Sequence, residues 1–323
     1  MKLRHWQPPG KIFAAGILFA VTNVAYAQGY PVKPIRLVTS SPGGGADTVS
    51  RLMAQGLAGP LGQQIIVDNR GGGVVPGQIV SRATPDGYTL LVYGGTFLLA
   101  PLLHEKPPYH PLQDFAPITL ISVSPVVLVV PPSVAANSVR ELIALAKSKP
   151  GALNFASASN GSASHLAGEL FKSMAGVDIM RINYKGNGPA MTDLLAGRVQ
   201  VMFVNAATVT PHIKSGKLKA LAVATDQQSA LAPGVPTVAA SGLPGYEASS
   251  KIGLFAPAHT PAAVVKRLNE ESVRFIRTPE AKEQIFRHGA DAAGSTPEAF
   301  VAIIKAELSR MGKVIKDLGI KEE

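Results

Sequence analysis

Ile35-Arg36-Leu37-Val38 runs into Thr39-Ser40-Ser41-Pro42-Gly43-Gly44-Gly45, and then Val49, Leu52, Met53 and Leu57 recur three or four residues apart. A short apolar run, a glycine turn and a 3.6-residue period predict strand, loop and helix in that order. The pattern repeats outward. Gln64-Ile65-Ile66-Val67-Asp68 reads as a second strand, Gly71–Gly73 as a loop, 77–83 as a helix and Tyr88-Thr89-Leu90-Leu91-Val92-Tyr93 as a third strand. Near-continuous β-branched strands joined by helices predict a parallel sheet covered on both faces.

Pro117–Pro132 breaks the series with a long extended stretch containing Pro125-Val126-Val127-Leu128-Val129-Val130. A second series follows. Ser138-Val139-Arg140-Glu141 has capping-box spacing and opens a helix that Pro150 closes. Strands are expected at 153–156, 179–183 and 200–204, with helices at 162–174 and 189–196 and an apolar run at 218–224. After the prolines at 233, 236 and 244 the chain reads as helical, with Thr260-Pro261, Thr278-Pro279 and Thr296-Pro297 each offering an N-cap followed by proline. Too few strands remain after 225 to build a sheet, so the expected organisation is two α/β lobes. Residues 28–120 and 225–323 form lobe 1, residues 121–224 form lobe 2, and crossovers near 118–126 and 220–226 act as hinges.

The first residues read as an export signal. Lys2, Arg4 and Lys11 precede an apolar run from Ile12 to Ala25, which ends in Ala25-Tyr26-Ala27. The run is too short to span a bilayer. Cleavage after Ala27 leaves 296 of the 323 residues, with no cysteine to carry a lipid anchor. The formal charge of +10 drops to +7 once the three signal cations are removed. The expected location is the periplasm.

Composition excludes several classes. With 46% hydrophobic and 16% charged residues and a mean hydropathy of +0.19, the chain is globular rather than disordered. The lack of cysteine removes disulfide scaffolds, thiolate metal sites and a cysteine nucleophile. No block of like charge or basic–aromatic stripe points to nucleic acid. No G-x-G-x-x-G, G-x-x-x-x-G-K-[ST], G-x-S-x-G or H-E-x-x-H occurs, so no dinucleotide, P-loop, hydrolase-elbow or zinc site is indicated, and no cofactor or metal is expected. His104 and His110 flank a proline-rich loop as surface or packing residues. Ser162 and Ser164 beside His165 keep one rival open, a secreted hydrolase.

Three places combine a strand end, a run of Gly, Ser or Asn and a helix start, Ser41–Asp47, Ser157–Ser164 and Tyr184–Pro189, and Tyr93–Phe97 and Asn205–Thr208 add two further small-polar strand ends. Unpaired amides and the positive end of a helix dipole seat an anion without lysine. Ligands of open α/β sheets sit at the carboxyl ends of strands. The candidate ligand residues are therefore Ser41, Gly44, Gly45 and Asp47, then Gly95 and Thr96. Across the cleft they are Ser159, Gly161, Ser162 and Ser164, with Tyr184, Gly186, Gly188 and Asn205. Asp47 has two readings, a cap of its own helix or a partner for a ligand ammonium. A carboxylate would land at Gly44–Asp47, and Ser162, Ser164 and the Gly186–Gly188 amides would close over it.

Tyr30-Pro31-Val32-Lys33-Pro34-Ile35-Arg36-Leu37-Val38, the P-G-G-x-x-D loop at 42–47, Leu61-Gly62-Gln63 and Val67-Asp68-Asn69-Arg70 carry a family resemblance. So do Pro85-Asp86-Gly87-Tyr88-Thr89-Leu90-Leu91, Asn183-Tyr184-Lys185-Gly186, Pro189-Ala190, Asp193-Leu194-Leu195-Ala196-Gly197 and Pro233-Gly234-Val235-Pro236-Thr237. Over residues 30–323 the chain resembles the solute receptors of tripartite tricarboxylate transporters, the Bug family. The resemblance implies a type II periplasmic binding-protein fold and a monomeric receptor that passes small carboxylates to membrane permease subunits, with a sensor-kinase partner as the alternative. It also implies binding through amides, hydroxyls and bridging waters. One departure is visible: where the family commonly has a proline and an aromatic after the first strand, Thr39-Ser40-Ser41-Pro42 stand in a shorter loop. A more polar, roomier floor is expected there.

Overall fold

Strand β1 (Ile35–Thr39), helix α1 (Gly45–Leu61), strand β2 (Ile65–Asn69), helix α2 (Val75–Ser81) and strand β3 (Thr89–Tyr93) follow the expected order, and β1 pairs in parallel with both β2 and β3. These are features of a computed structural model, which describes residues 29–317 and 319 apart from 44, 72, 159–161 and 185. The export signal and the cleavage point after Ala27 lie outside the described residues.

Helix α3 (Gly95–Leu103) was not signalled by periodicity, because Phe97, Leu98, Leu99 and Leu103 are all buried and leave no polar face to mark a stripe. Strand β4 (Phe115–Val130) then runs through both lobes. Its first part pairs antiparallel with β9 (Ser249–Pro257), and Val126–Val130 pair antiparallel with β7 (Val201–Asn205) and β8 (Lys219–Val223). Around β4 the second lobe is built from α4 (Val139–Ser148), β5 (Asn154–Ser157), α5 (Ala163–Ala175), β6 (Met180–Asn183), α6 (Asn187–Leu195) and α7 (Ala206–Lys214). The main strand order is β2-β1-β3-β9-β4-β7-β5-β6, so each lobe has a parallel half-sheet and the two share the antiparallel pivot of β4 and β9. The chain leaves the β4–β8 ladder at Ala224, whose carbonyl accepts from the Ala248 amide as β9 begins. This is the two-lobed, two-crossover architecture of a type II periplasmic binding protein.

Strand β9 corrects the reading of the last third as wholly helical. The remaining elements are α8 (Ala262–Ile276), α9 (Pro279–Arg287), the short β10 (Asp291–Ala292) on β4, and α10 (Pro297–Asp317). Thr278 and Thr296 cap as expected, accepting from the amides of Ala281 and Ala299. Thr260 does not: its hydroxyl donates back to the Pro257 carbonyl, and Pro261 takes the cap position of α8. Ser138 caps α4 by accepting from the Glu141 amide, while the Glu141 carboxylate reaches past it to the Asn137 amide.

One apolar core runs through both lobes along β4. In lobe 1 the Phe97 ring stacks on Tyr109 at 5.2 Å between centroids and meets Phe115 edge-on at 4.7 Å. In lobe 2 Phe171 and Phe203 pack together, and Tyr246, from the segment after the second crossover, stacks on Phe203 and donates to the Ala167 carbonyl at 2.8 Å. The loops at the strand ends therefore stand on rigid supports.

Candidate ligand site

The register of β4 fixes where the loops meet. Strand β3 ends at Tyr93, level with Gly253 of β9 and hence with Leu120 of β4, and it points along β4 toward higher numbers. Strand β7 runs the other way and ends at Asn205, level with Val126. Because β1 is parallel to β3, and β5 and β6 are parallel to β7, all five small-polar strand ends face one another. Six positions of β4 separate the two rows, about 20 Å at the usual strand rise.

On the lobe 1 side the glycine loop is clamped from beneath. Asp47, 5% exposed in the first turn of α1, accepts from the Gly43 amide (2.9 Å) and from Asn69 Nδ2 (2.8 Å), and pairs with Arg51 at 3.0 Å. Asn69 also donates to the Ser40 carbonyl at 2.7 Å and accepts from Arg51 at 3.0 Å. Burial pushes the Asp47 carboxyl up, but the Gly43 amide, Asn69 and Arg51 outweigh it and hold the group below the usual carboxylate range. Asp47 is thus a capping group with both oxygens committed. Ser41 and Gly45 are exposed in this loop, and a Cβ on Gly45 would stand 3.6 Å from Ile252 Cδ1 of β9. Gly44 lies outside the described residues. Gly95 opens α3 behind the extended cap Gly94, with Thr96 next in the helix.

On the lobe 2 side Ser162 Oγ accepts from the His165 amide as the N-cap of α5, Ser164 Oγ accepts from the Ala158 amide, and the two hydroxyls stand 3.1 Å apart. One of their two protons is used between them, and one remains to donate outward. Arg181 ties the same turn down, with Nε donating to Ser157 Oγ at 2.7 Å and the guanidinium reaching the Ala158 carbonyl at 3.2 Å. His165 is buried, and burial, with Arg181 and Lys172 nearby, lowers it to about 4, so its imidazole is neutral. These are the bonds of a helix start. Ser159 and Gly161 lie outside the described residues. Tyr184 donates to Asp193 at 2.8 Å, and its hydroxyl is raised by burial and by that carboxylate. Gly186 is the extended cap of α6, Gly188 is exposed in its first turn, and Asn205 caps α7 without a side-chain bond.

Between the lobes lies a cavity of about 60 Å³ lined by Gly95 and Leu99 of α3, Ala163, Leu166 and Ala167 of α5, Ala248–Ser250, and Glu307 and Met311 of α10. Among the described residues Gly95 is the expected one that lines it, beside Ala163, the neighbour of both cage serines. Its other wall was missed by sequence reasoning, because Glu307 and the second crossover are far apart in the chain. Lys251 Nζ donates to Glu247 (2.6 Å), Ser249 (2.7 Å) and Glu307 (3.2 Å), and Arg310 pairs with both glutamates at 2.8 Å. Burial raises Glu247, but Lys251 and Arg310 prevail and lower it. Among the described residues no group of three His, Cys, Asp or Glu could hold a metal, and no helix is long and apolar enough to cross a membrane.

Residues 49–320 match the model of the tripartite tricarboxylate transporter family receptor. The chain is 35% identical over 314 residues to Protein BugT of Bordetella pertussis, covering 95% of this chain and 96% of that one. The solved structure of R. palustris Rpa4515 with adipate superposes with a TM-score of 0.74 at 33% identity, covering 90% of this chain and 99% of that one. MatC (Rpa3494) from Rhodopseudomonas palustris with bound malate gives a TM-score of 0.71 at 31% identity, covering 88% and 100%.

Proposed function

This chain belongs to the tripartite tricarboxylate transporter receptor family, and from that premise we propose how it holds its cargo. It is a periplasmic solute receptor for small carboxylates, not an enzyme. Adipate and malate in the two relatives are dicarboxylates, and a cargo of the same class fits this cleft. Lobe 1 is assigned residues 28–120 and 225–323, and lobe 2 residues 121–224. The acid sits on amides of the Ser41–Gly45 turn, the Gly95–Thr96 start and the Gly186–Gly188 turn, with Ser159, Gly161, Ser162 and Ser164 closing over it and Asn205 at the rim. Asp47 and Tyr184 brace this cage from behind. The mature chain, cut after Ala27, works as a monomer and hands its cargo to the permease subunits of the transporter.

What supports this reading is the opposed placement of the strand ends across Leu120–Val126 of β4. Helix-terminal amides there can grip an anion in competition with water, since a hydrogen bond to a charged group contributes about 1.5–3 kcal/mol. Four or five such bonds, less the ordering and closure costs, correspond to roughly micromolar affinity. The experiment is a thermal-shift screen of small acids. Ser162→Phe removes an N-cap worth about 1 kcal/mol and fills the cage. Its basal melting point should drop slightly and its carboxylate-induced shift should vanish, whereas a preserved shift would refute the cage.

A further inference from the structure

A single peptide bond joins the anchors of the two lobes. Tyr246, 1% exposed, packs with lobe 2: its ring stacks on Phe203 at 6.3 Å between centroids, and its hydroxyl donates to the Ala167 carbonyl of α5 at 2.8 Å. The chain before it does the same, with the Val238 amide donating to the Val223 carbonyl of β8 at 2.9 Å. Its neighbour Glu247 reaches the other way. One carboxylate oxygen accepts from Lys251 of β9 at 2.6 Å, and the other pairs with Arg310 of α10 at 2.8 Å. Both cations stand on lobe 1: Lys251 is level with Val123 of β4, and α10 is pinned by the Phe300 ring on Phe255 at 5.1 Å. Glu307 joins the cluster from α10, its Oε2 accepting from Lys251 and Arg310. With Ser249 it lines both the interlobe cavity and a neighbouring cavity of about 210 Å³, which Glu247, Lys251, Arg310 and Asp226 also line.

We infer that Glu247 is a positioning residue, a latch that holds the lobes at the spacing of this structure and thereby sets the affinity for cargo without touching it. The inference goes beyond the receptor reading, which names the groups that grip the acid, by naming what keeps them together. The lobes pivot where β4 and the second crossover join them, so opening turns Tyr246 and α5 against β9 and α10. Glu247 spans that joint, and its ion pairs cannot follow both sides. They are the weaker link: Tyr246 is sealed among aromatic rings, whereas the Glu247 and Arg310 side chains are 22% and 21% exposed and water solvates them once they part. Lys251 and Arg310 stay paired with Glu307 when Glu247 lets go, so neither cation is stranded. Arg310 Nε is buried with no hydrogen-bond partner among the described residues, so the cluster is not completed as a static brace would be. A cargo that bridges the lobes binds the close spacing, and its apparent affinity scales with the population of that spacing.

The test has two arms on the mature, dialysed protein. The chain has no cysteine, so Gln55→Cys in α1 and Thr192→Cys in α6, both at exposed positions, accept a pair of spin labels, one on each lobe. In the cargo-free protein Glu247→Gln should lengthen the mean label separation, and equal distributions with and without the change overturn the latch. In the second arm malate, succinate and adipate are titrated by calorimetry. Every acid that binds should weaken by one common factor, about ten-fold, because the latch acts on the lobes rather than on the cargo. Unchanged affinities overturn it, and so do factors that differ by more than about three-fold between acids, since a residue touching cargo discriminates among them. Tyr246→Phe releases the lobe 2 end of the same link. Combined with Glu247→Gln it should weaken binding no more than the larger single change, and additive losses would contradict two anchors in series. If Glu247→Gln does not fold, Arg310→Lys keeps the cluster's charge but loses the fork across both glutamates, and the same two readouts decide. If no acid binds, the receptor reading falls and the label separations still decide the latch.

Discussion

Replacing Asp47 with alanine should loosen the glycine turn that presents lobe 1 to the cargo, and the cost can be worked from its partners. Two hydrogen bonds to the carboxylate are lost, from the Gly43 amide and from Asn69, each worth about 1.5–3 kcal/mol in such charge-assisted contacts. The Arg51 pair adds little, because that arginine side chain is 59% exposed and screened by solvent. The charge at the start of α1 contributes about 0.3–1 kcal/mol more. Allowing for non-additivity, Asp47→Ala should cost about 3–5 kcal/mol, and Asp47→Asn less, since its carbonyl can still accept from Gly43. A urea titration followed by circular dichroism gives the difference, and a carboxylate titration on the same samples reports the loss of affinity. The linkage has a definite sign. The folded carboxyl titrates below its ordinary value of 3.8, so its contribution is fully present above that pH and fades as the pH falls through the lower folded value. A loss under about 1 kcal/mol would refute the clamp. A large loss of stability with unchanged carboxylate affinity would show that this turn is no part of the site.

His165 should impose a second, separable pH dependence. Its buried imidazole titrates near 4 against 6.5 in the unfolded chain, so the unfolded state binds more protons in that window. Stability is complete above pH 6.5 and should fall by up to about 3 kcal/mol on acidification toward pH 4. Melting curves that stay flat across this window would contradict the assignment, and His165→Gln should flatten them. Gly168→Ala addresses the packing beneath the same loop: a methyl there falls within the Phe155 ring. The overpacking cost of about 1–3 kcal/mol should outweigh the roughly 1 kcal/mol gain in helix propensity, so a more stable variant in chemical denaturation would show that the ring yields freely.

The sequence made legible whatever depends on local pattern. Ile35–Thr39 with its glycine turn, the Ser138 cap and the parallel strands of both lobes are each written in fewer than ten consecutive residues. The meeting of the five loops followed from the rule that strand ends gather at one edge, and the register of β4 places them so. What escaped is decided by partners distant in the chain. Ser249–Pro257 includes two serines, a glycine and a proline and lacks the usual strand composition, but β3 and β4 hold it on both sides. Helix α7 encloses Pro211, which reads locally as a stop. Tyr184 donates its hydroxyl to Asp193 nine positions on, a pairing the turn alone does not announce. Glu247 and Lys251 meet Glu307 and Arg310 across some sixty residues of chain, which no local pattern could announce.

The most direct trial is a crystal structure of the mature protein grown with a bound acid, refined far enough to place each carboxylate oxygen. The account expects those oxygens between the lobes, about 3 Å from backbone amides at the starts of α1, α3, α5 or α6, with no lysine or arginine in contact. An acid gripped instead by a guanidinium or ammonium group, or seated on the outer surface of one lobe, would contradict it.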